Sequence, residues 1–229
     1  MSASEMVSAK LSAQNSIQLP EVFRSMLTDY VSEQWYQNIV KATKSKKNVF
    51  NLFVEYCNIH KMKSISDGFV QPKLIIVGDI FYNQLSMNAV ALQSFVQELA
   101  ENFDINTDIS SAVVKKLVSE KVLIINTSTY NLDGKTINDD WKMMCKMIIM
   151  KVLDKSENCL VLSLGSGNNG IIKDIVMETG YSTDNVWMIG HPSPKASSSN
   201  FRGSCVFRKI NQRLLELNRL PVRFGIVFT

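Results

Sequence analysis

The chain has 229 residues, 45% apolar and 20% charged, with a net charge of +4, enough for one globular domain with a full core. Its four cysteines, at positions 57, 145, 159 and 205, show no paired spacing, so neither a zinc site nor a disulfide scaffold is indicated and a reducing compartment is the simplest reading. No apolar stretch approaches membrane-spanning length and the start lacks a signal-peptide layout. The expectation is an intracellular protein, cytoplasmic or nuclear and not secreted, with no metal and no cofactor.

Residues 1–19 are rich in Ser, Ala and Gln and read as a flexible arm, leaving residues 20–229 as a single domain. Pro20-Glu21 opens an amphipathic helix with Val22, Met26, Leu27, Tyr30 and Val31 at helical spacing, and Trp35, Ile39 and Val40 continue it. Phe50, Phe53, Val54 and Cys57 mark a second helix. The lysines at 41, 44, 46 and 47 fit a solvated junction between the two. Asp67-Gly68 is a turn.

From Lys73 onward, apolar strands over 73–78, 121–126, 159–164 and 185–190 alternate with helical patterns near 91–101, 138–154, 168–179 and 205–218. Continuous apolar strands separated by helices predict an α/β fold, a parallel sheet covered on both faces. The methionines at 143, 144, 147 and 150 read as core fillers.

Gly165-Ser166-Gly167-Asn168-Asn169-Gly170 matches the dinucleotide fingerprint G-x-G-x-x-G and follows a strand into a helix. The fingerprint also requires an acid at the end of the next strand, about 20 residues on. Gly190-His191 stands there, so the segment reads as a tight strand-to-helix turn. His191-Pro192-Ser193-Pro194 closes the apolar run Val186-Trp187-Met188-Ile189-Gly190. Ligands in open α/β sheets bind at such strand ends.

Between Lys195 and Arg223 there are seven basic residues against one acid, +6 in the segment and −2 in the remainder of the chain. Such a stripe suits a phosphate backbone, and equally a solvated helix face.

The order of four blocks resembles the uracil-DNA glycosylase family over about residues 70–220. Lys73-Leu74-Ile75-Ile76-Val77-Gly78 is similar to the strand entering that family's catalytic loop. Val122-Leu123-Ile124-Ile125-Asn126-Thr127 resembles the strand ending in its uracil-reading asparagine, and Trp141 the tryptophan of the next helix. Leu162-Ser163-Leu164-Gly165-Ser166 stands where the family has Trp-Gly-Ser or Trp-Gly-Lys, with Leu164 replacing the tryptophan. His191-Pro192-Ser193-Pro194, the loop from Lys195 to Phe201 and Arg202-Gly203 resemble its DNA-intercalating segment.

The resemblance implies a four-stranded parallel sheet flanked by helices. It also implies that Asn126 and His191 line one crevice at strand ends, on the same side of the sheet and not at opposite edges. By that resemblance Asn126 reads the amide edge of a pyrimidine, and His191 donates to the negative charge on the departing base, worth roughly 3 kcal/mol. Capping a strand-to-helix loop is the other role open to Asn126. Ser166, Ser193, Lys195, Arg202, Arg208 and Lys209 are expected along the DNA. Phe201 either replaces the family's intercalating leucine, whose place Lys195 takes, or packs under the loop.

The departures lie in one loop. Where the family has Gly-Gln-Asp-Pro-Tyr-His, this chain has Gly78-Asp79-Ile80-Phe81-Tyr82-Asn83. Without a gap, Tyr82 is kept but Ile80 replaces the water-positioning acid. Slipped by one place, Asp79 comes into register and the rest is lost. Asp79 assists a water or caps a turn, and Tyr82 walls the pocket or joins the core. The loop that carries the uracil-stacking phenylalanine is shortened to Gln84-Leu85-Ser86-Met87-Asn88. These losses point to a diverged protein that binds DNA or a partner with little or no uracil excision. The alternative is an active glycosylase whose rebuilt loop uses Asp79. Relatives of the fold serve as replication accessory subunits, so a scaffold role beside a replication factor follows by analogy.

Overall fold

The computed structural model describes residues 17, 19–43, 49–63, 68–78, 89–103, 112–128, 135–193 and 200–224. In chain order the elements are α1 (Glu21–Met26), α2 (Gln34–Thr43), α3 (Asn51–Ile59), β1 (Leu74–Val77), α4 (Ala89–Phe103), α5 (Ala112–Ser119), β2 (Val122–Ile125), α6 (Lys135–Asp154), β3 (Leu160–Leu164), α7 (Ser166–Thr179), β4 (Val186–Ile189) and α8 (Val206–Glu216). Short 3-10 turns occupy Thr28–Tyr30 and Thr183–Asn185.

The four strands form one parallel sheet in the order β2-β1-β3-β4. Every residue of β1, β2 and β3 is buried, whereas all four of β4 are half-buried. Parallel strands covered on both faces need unbroken aliphatic runs, and Leu74-Ile75-Ile76-Val77 and Val122-Leu123-Ile124-Ile125 supply them. The chain moves from β1 outward to β2, then returns past β1 to β3. Right-handed crossovers therefore put α4 on one face and α6 and α7 on the other. In keeping with this, α6 packs on α7, α4 on α8, and α1 and α2 cover α6. α3 and α5 pack together against β2.

The helix opened at Glu21 is broken, since Leu27 leaves helical geometry and a 3-10 turn intervenes before α2. Ile17 and Leu19, at the end of the expected arm, are buried in the core. Lys41 is exposed at the end of α2, and Lys44, Lys46 and Lys47 lie outside the described residues. Of the α6 methionines, Met144 is fully buried and Met147 and Met150 pack against the core, but Met143 is exposed.

Candidate nucleic-acid site at the carboxyl pole of the sheet

Because strand order reverses between β1 and β3, their carboxyl ends splay into the crevice where open α/β sheets hold ligands. Two glycines floor it. A Cβ on Gly78 would come within 3.1 Å of Leu164 Cβ, so a side chain there would press on Leu164 as the chain leaves β1. Gly165 has φ +96° and ψ 150°, a region essentially confined to glycine, and starts α7 directly after β3.

Asn126 and His191 follow the two outer strands, β2 and β4. They stand at opposite edges in strand order, contrary to the expectation, yet at the same pole and on either side of the β1–β3 crevice. Side-chain links lean both loops inward. From the β2 side, Thr127 Oγ1 donates to Asn168 Oδ1, and Asn168 Nδ2 donates to Leu164 O at 2.7 Å. From the β4 side, His191 Cβ and Cδ2 lie 3.4 and 3.6 Å from where a Gly165 Cβ would be. The start of α7 therefore sits between the two loops.

Backbone bonds fix Asn126 further. Trp141 Nε1 donates to its carbonyl oxygen at 2.9 Å, and Cys145 Sγ donates to the same oxygen at 3.5 Å. The side-chain oxygen of Asn126 is buried in a half-buried residue. His191 Nδ1 accepts the Ser193 amide at 3.1 Å. A ring nitrogen that accepts an N–H carries a lone pair, so the proton of the neutral ring is on Nε2, which becomes a donor. That is the tautomer needed to stabilise an anionic oxygen on a departing base. Pro192 is buried and Ser193 half-buried, so the loop is anchored at its start. Ser166 is exposed at the first turn of α7.

The G-x-G-x-x-G segment is a tight turn, with Gly165 capping α7 and Asn168 bonding back to the strand it leaves. A Cβ at Gly167 or Gly170 would meet nothing within 4 Å. Gly165→Ala is expected to cost about 1–3 kcal/mol of stability from backbone strain, and to crowd His191. Chemical denaturation checks the first effect, and the histidine proton resonances of Gly165→Ala check the second.

Phe201 is a correction. It is fully buried, stacked on Phe95 at 6.1 Å and edge-on to Phe207 at 6.3 Å. Phe207 continues the cluster to Phe224 at 5.0 Å. An aromatic ring locked in a core cannot wedge into a base stack, so packing under the loop is its role.

The basic stripe is a second correction, because its charges do not all share a face. Arg202 pairs with Glu101, and Arg208 donates to Asn102 O. Arg213 reaches Asn185 Oδ1 at 3.0 Å and Glu216 at 3.2 Å. Arg219 donates to the carbonyls of Asn158, Glu157 and Pro72, and Arg223 pairs with buried Glu120 at 2.8 Å. These last two lie at the amino ends of the strands, the pole opposite His191. Burial lowers the pKa of Lys73 there, as do the neighbouring cations Lys121, Arg219 and Arg223, against the opposing pull of Glu120. Lys209 is exposed on α8. Asp79, Tyr82 and Lys195 lie outside the described residues.

Sequence reasoning missed Glu98. Fully buried on α4, it accepts the Gly203 amide at 2.7 Å, the Cys205 amide at 2.9 Å and the Ser204 hydroxyl at 3.2 Å. Its signal was an acid on the helical stripe of Phe95, Leu99 and Asn102. Among the described residues no helix is long and apolar enough to cross a membrane, and no cluster of three His, Cys, Asp or Glu is placed to hold a metal.

No family model matches the chain. It is 21% identical to a uracil-DNA glycosylase of Mycoplasmopsis pulmonis, over 89% of this chain and 91% of that protein. A uracil-DNA glycosylase of Mesomycoplasma hyopneumoniae is 19% identical over 89% and 97%. One from Clostridium beijerinckii is 32% identical over 51% of this chain and 52% of its own. Among solved structures, mimivirus uracil-DNA glycosylase superposes with a TM-score of 0.63 at 14% identity, covering 90% of this chain and 88% of that one. Mimivirus UNG Y322L in complex with UGI gives 0.62 at 15% identity, with 90% and 89% covered.

Proposed function

We propose that the chain is a divergent, uracil-DNA glycosylase-like protein, and that it binds DNA through a retained pyrimidine-reading crevice while excising little or no uracil. The observation that carries the proposal is the split between the two halves of the site. Asn126 and His191 are held at the carboxyl pole, His191 with Nε2 as its donor. In the ungapped register, the loop after Gly78 carries Ile80 where the family places its acid. A crevice that reads a base but lacks a charge near the sugar binds without lowering the barrier much. The setting that goes with this reading is intracellular.

One observation favours the second reading, an active glycosylase using Asp79. The Nε2 donor of His191 serves mainly the transition state, when charge develops on the base. The test is equilibrium binding of a uracil-containing oligonucleotide followed by alkali. Recovery of an intact strand supports binding without excision, and cleavage at uracil supports the second reading.

Electrostatics gives a further expectation. Neutralising Arg202, Arg208 and Lys209 together is expected to lower affinity and to flatten the slope of log K against log salt by about 2–3. Neutralising Arg219 and Arg223, at the far pole, is expected to leave the slope unchanged. Anisotropy titrations across a salt series read both.

A further inference from the structure

The flank of the sheet beyond β4 carries an open groove of about 580 Å³. One wall is Trp187 with Asp184 from the edge of β4, and the other is Arg208, Lys209, Arg213 and Glu216 of α8. Glu216 is taken up by Arg213 at 3.2 Å, and Arg213 also by Asn185. Arg208 and Lys209 are exposed, with Asp184 the remaining acid on the rim. Trp187 is half-buried, whereas Trp141, the tryptophan beneath the crevice, is 2% exposed.

A planar aromatic face beside exposed cations in a groove, Lys209 and an Arg208 whose Nε alone is held by Asn102 O, is the combination that takes a stacked base together with its phosphate. An acidic peptide would satisfy the cations but leave the ring face without a planar partner. We infer that this groove is a secondary subsite for single-stranded nucleic acid, with a base stacked on Trp187 and phosphates beside Arg208 and Lys209. The inference rests on the DNA-binding reading above and extends it along the strand. Trp187 precedes His191 by four residues, roughly 13 Å of extended chain. That is about four stacked nucleotide steps at 3.4 Å each. Trp187 and His191 thus lie within the length of a short oligonucleotide.

The experiment compares binding of labelled (dT)16 to the wild-type protein, Trp187→Ala and Trp187→Phe, with tryptophan fluorescence followed in parallel. Trp187→Ala is expected to weaken binding about tenfold or more and to abolish the quenching, while Trp187→Phe keeps most of the affinity. Unchanged affinity in Trp187→Ala overturns the inference and leaves the DNA-binding reading standing. Absence of (dT)16 and uracil-oligonucleotide binding by the wild type overturns both. Quenching by an Asp/Glu-rich peptide but not by (dT)16 assigns the groove to an acidic protein partner. If Trp187→Ala fails to fold, Trp187→Leu serves, with unchanged affinity for (dT)16 again overturning the inference.

Discussion

Glu98→Ala is expected to lower the unfolding free energy by about 3 kcal/mol, since each hydrogen bond to a charged group contributes about 1.5–3 kcal/mol, the carboxylate is fully buried, and water reaches only part of the turn left behind. The carboxylate gathers the Gly203 and Cys205 amides, the Ser204 hydroxyl and the Asn102 amide at 2.9 Å. Cys205 is in left-handed geometry at φ +52°, so nothing in the turn itself satisfies those amides. The start of α8 adds its own positive end to the attraction. Glu98→Gln keeps one acceptor but turns an amide N–H₂ toward donors, and is expected to fall between wild type and Glu98→Ala. Urea titration measures both. A loss below 1 kcal/mol would mean that water replaces the carboxylate. The functional consequence runs through the same turn, since residues 201–205 end the loop that begins at His191.

The strands were legible because burial on both faces demands unbroken aliphatic runs. Expected limits of 73–78, 121–126, 159–164 and 185–190 contain the observed strands, with an overhang of one residue at one or both ends. The order β2-β1-β3-β4 was not legible from spacing, because it depends on which face each helix covers, and the family resemblance supplied only the strand number. Helix α5 went unread. It is eight residues long, with Val113, Leu117 and Val118 at helical spacing as its one signal.

The site was legible in part for similar reasons. His191 and Asn126 end apolar runs, so a strand-end position followed from the sequence alone. What separates them, two central strands bridged by Thr127, Asn168 and Gly165, depends on strand order. The basic stripe misled because neighbours in sequence point around a helix. Arg208, Lys209 and Arg213 fan over the flank of α8, while Arg219 and Arg223 lie beyond its end at the other pole. Phe201 misled because an aromatic beside a polar loop reads alike as wedge or core, and only its stacking on Phe95 decides.

Release of uracil from single- and double-stranded oligonucleotides, at equimolar protein in a single turnover, tests the central claim most directly. A missing carboxylate near the sugar is expected to cost several powers of ten in rate, since each ~1.4 kcal/mol of lost stabilisation is tenfold. Asp79 would have to turn in from a neighbouring position to replace it. His191 alone stabilises the leaving base, and that supplies only part of the barrier. The account predicts binding of the uracil strand with no release above background, and weaker binding in Asn126→Ala. Efficient release by the wild type that disappears in Asp79→Asn would contradict it and make Asp79 the catalytic acid of a shortened loop.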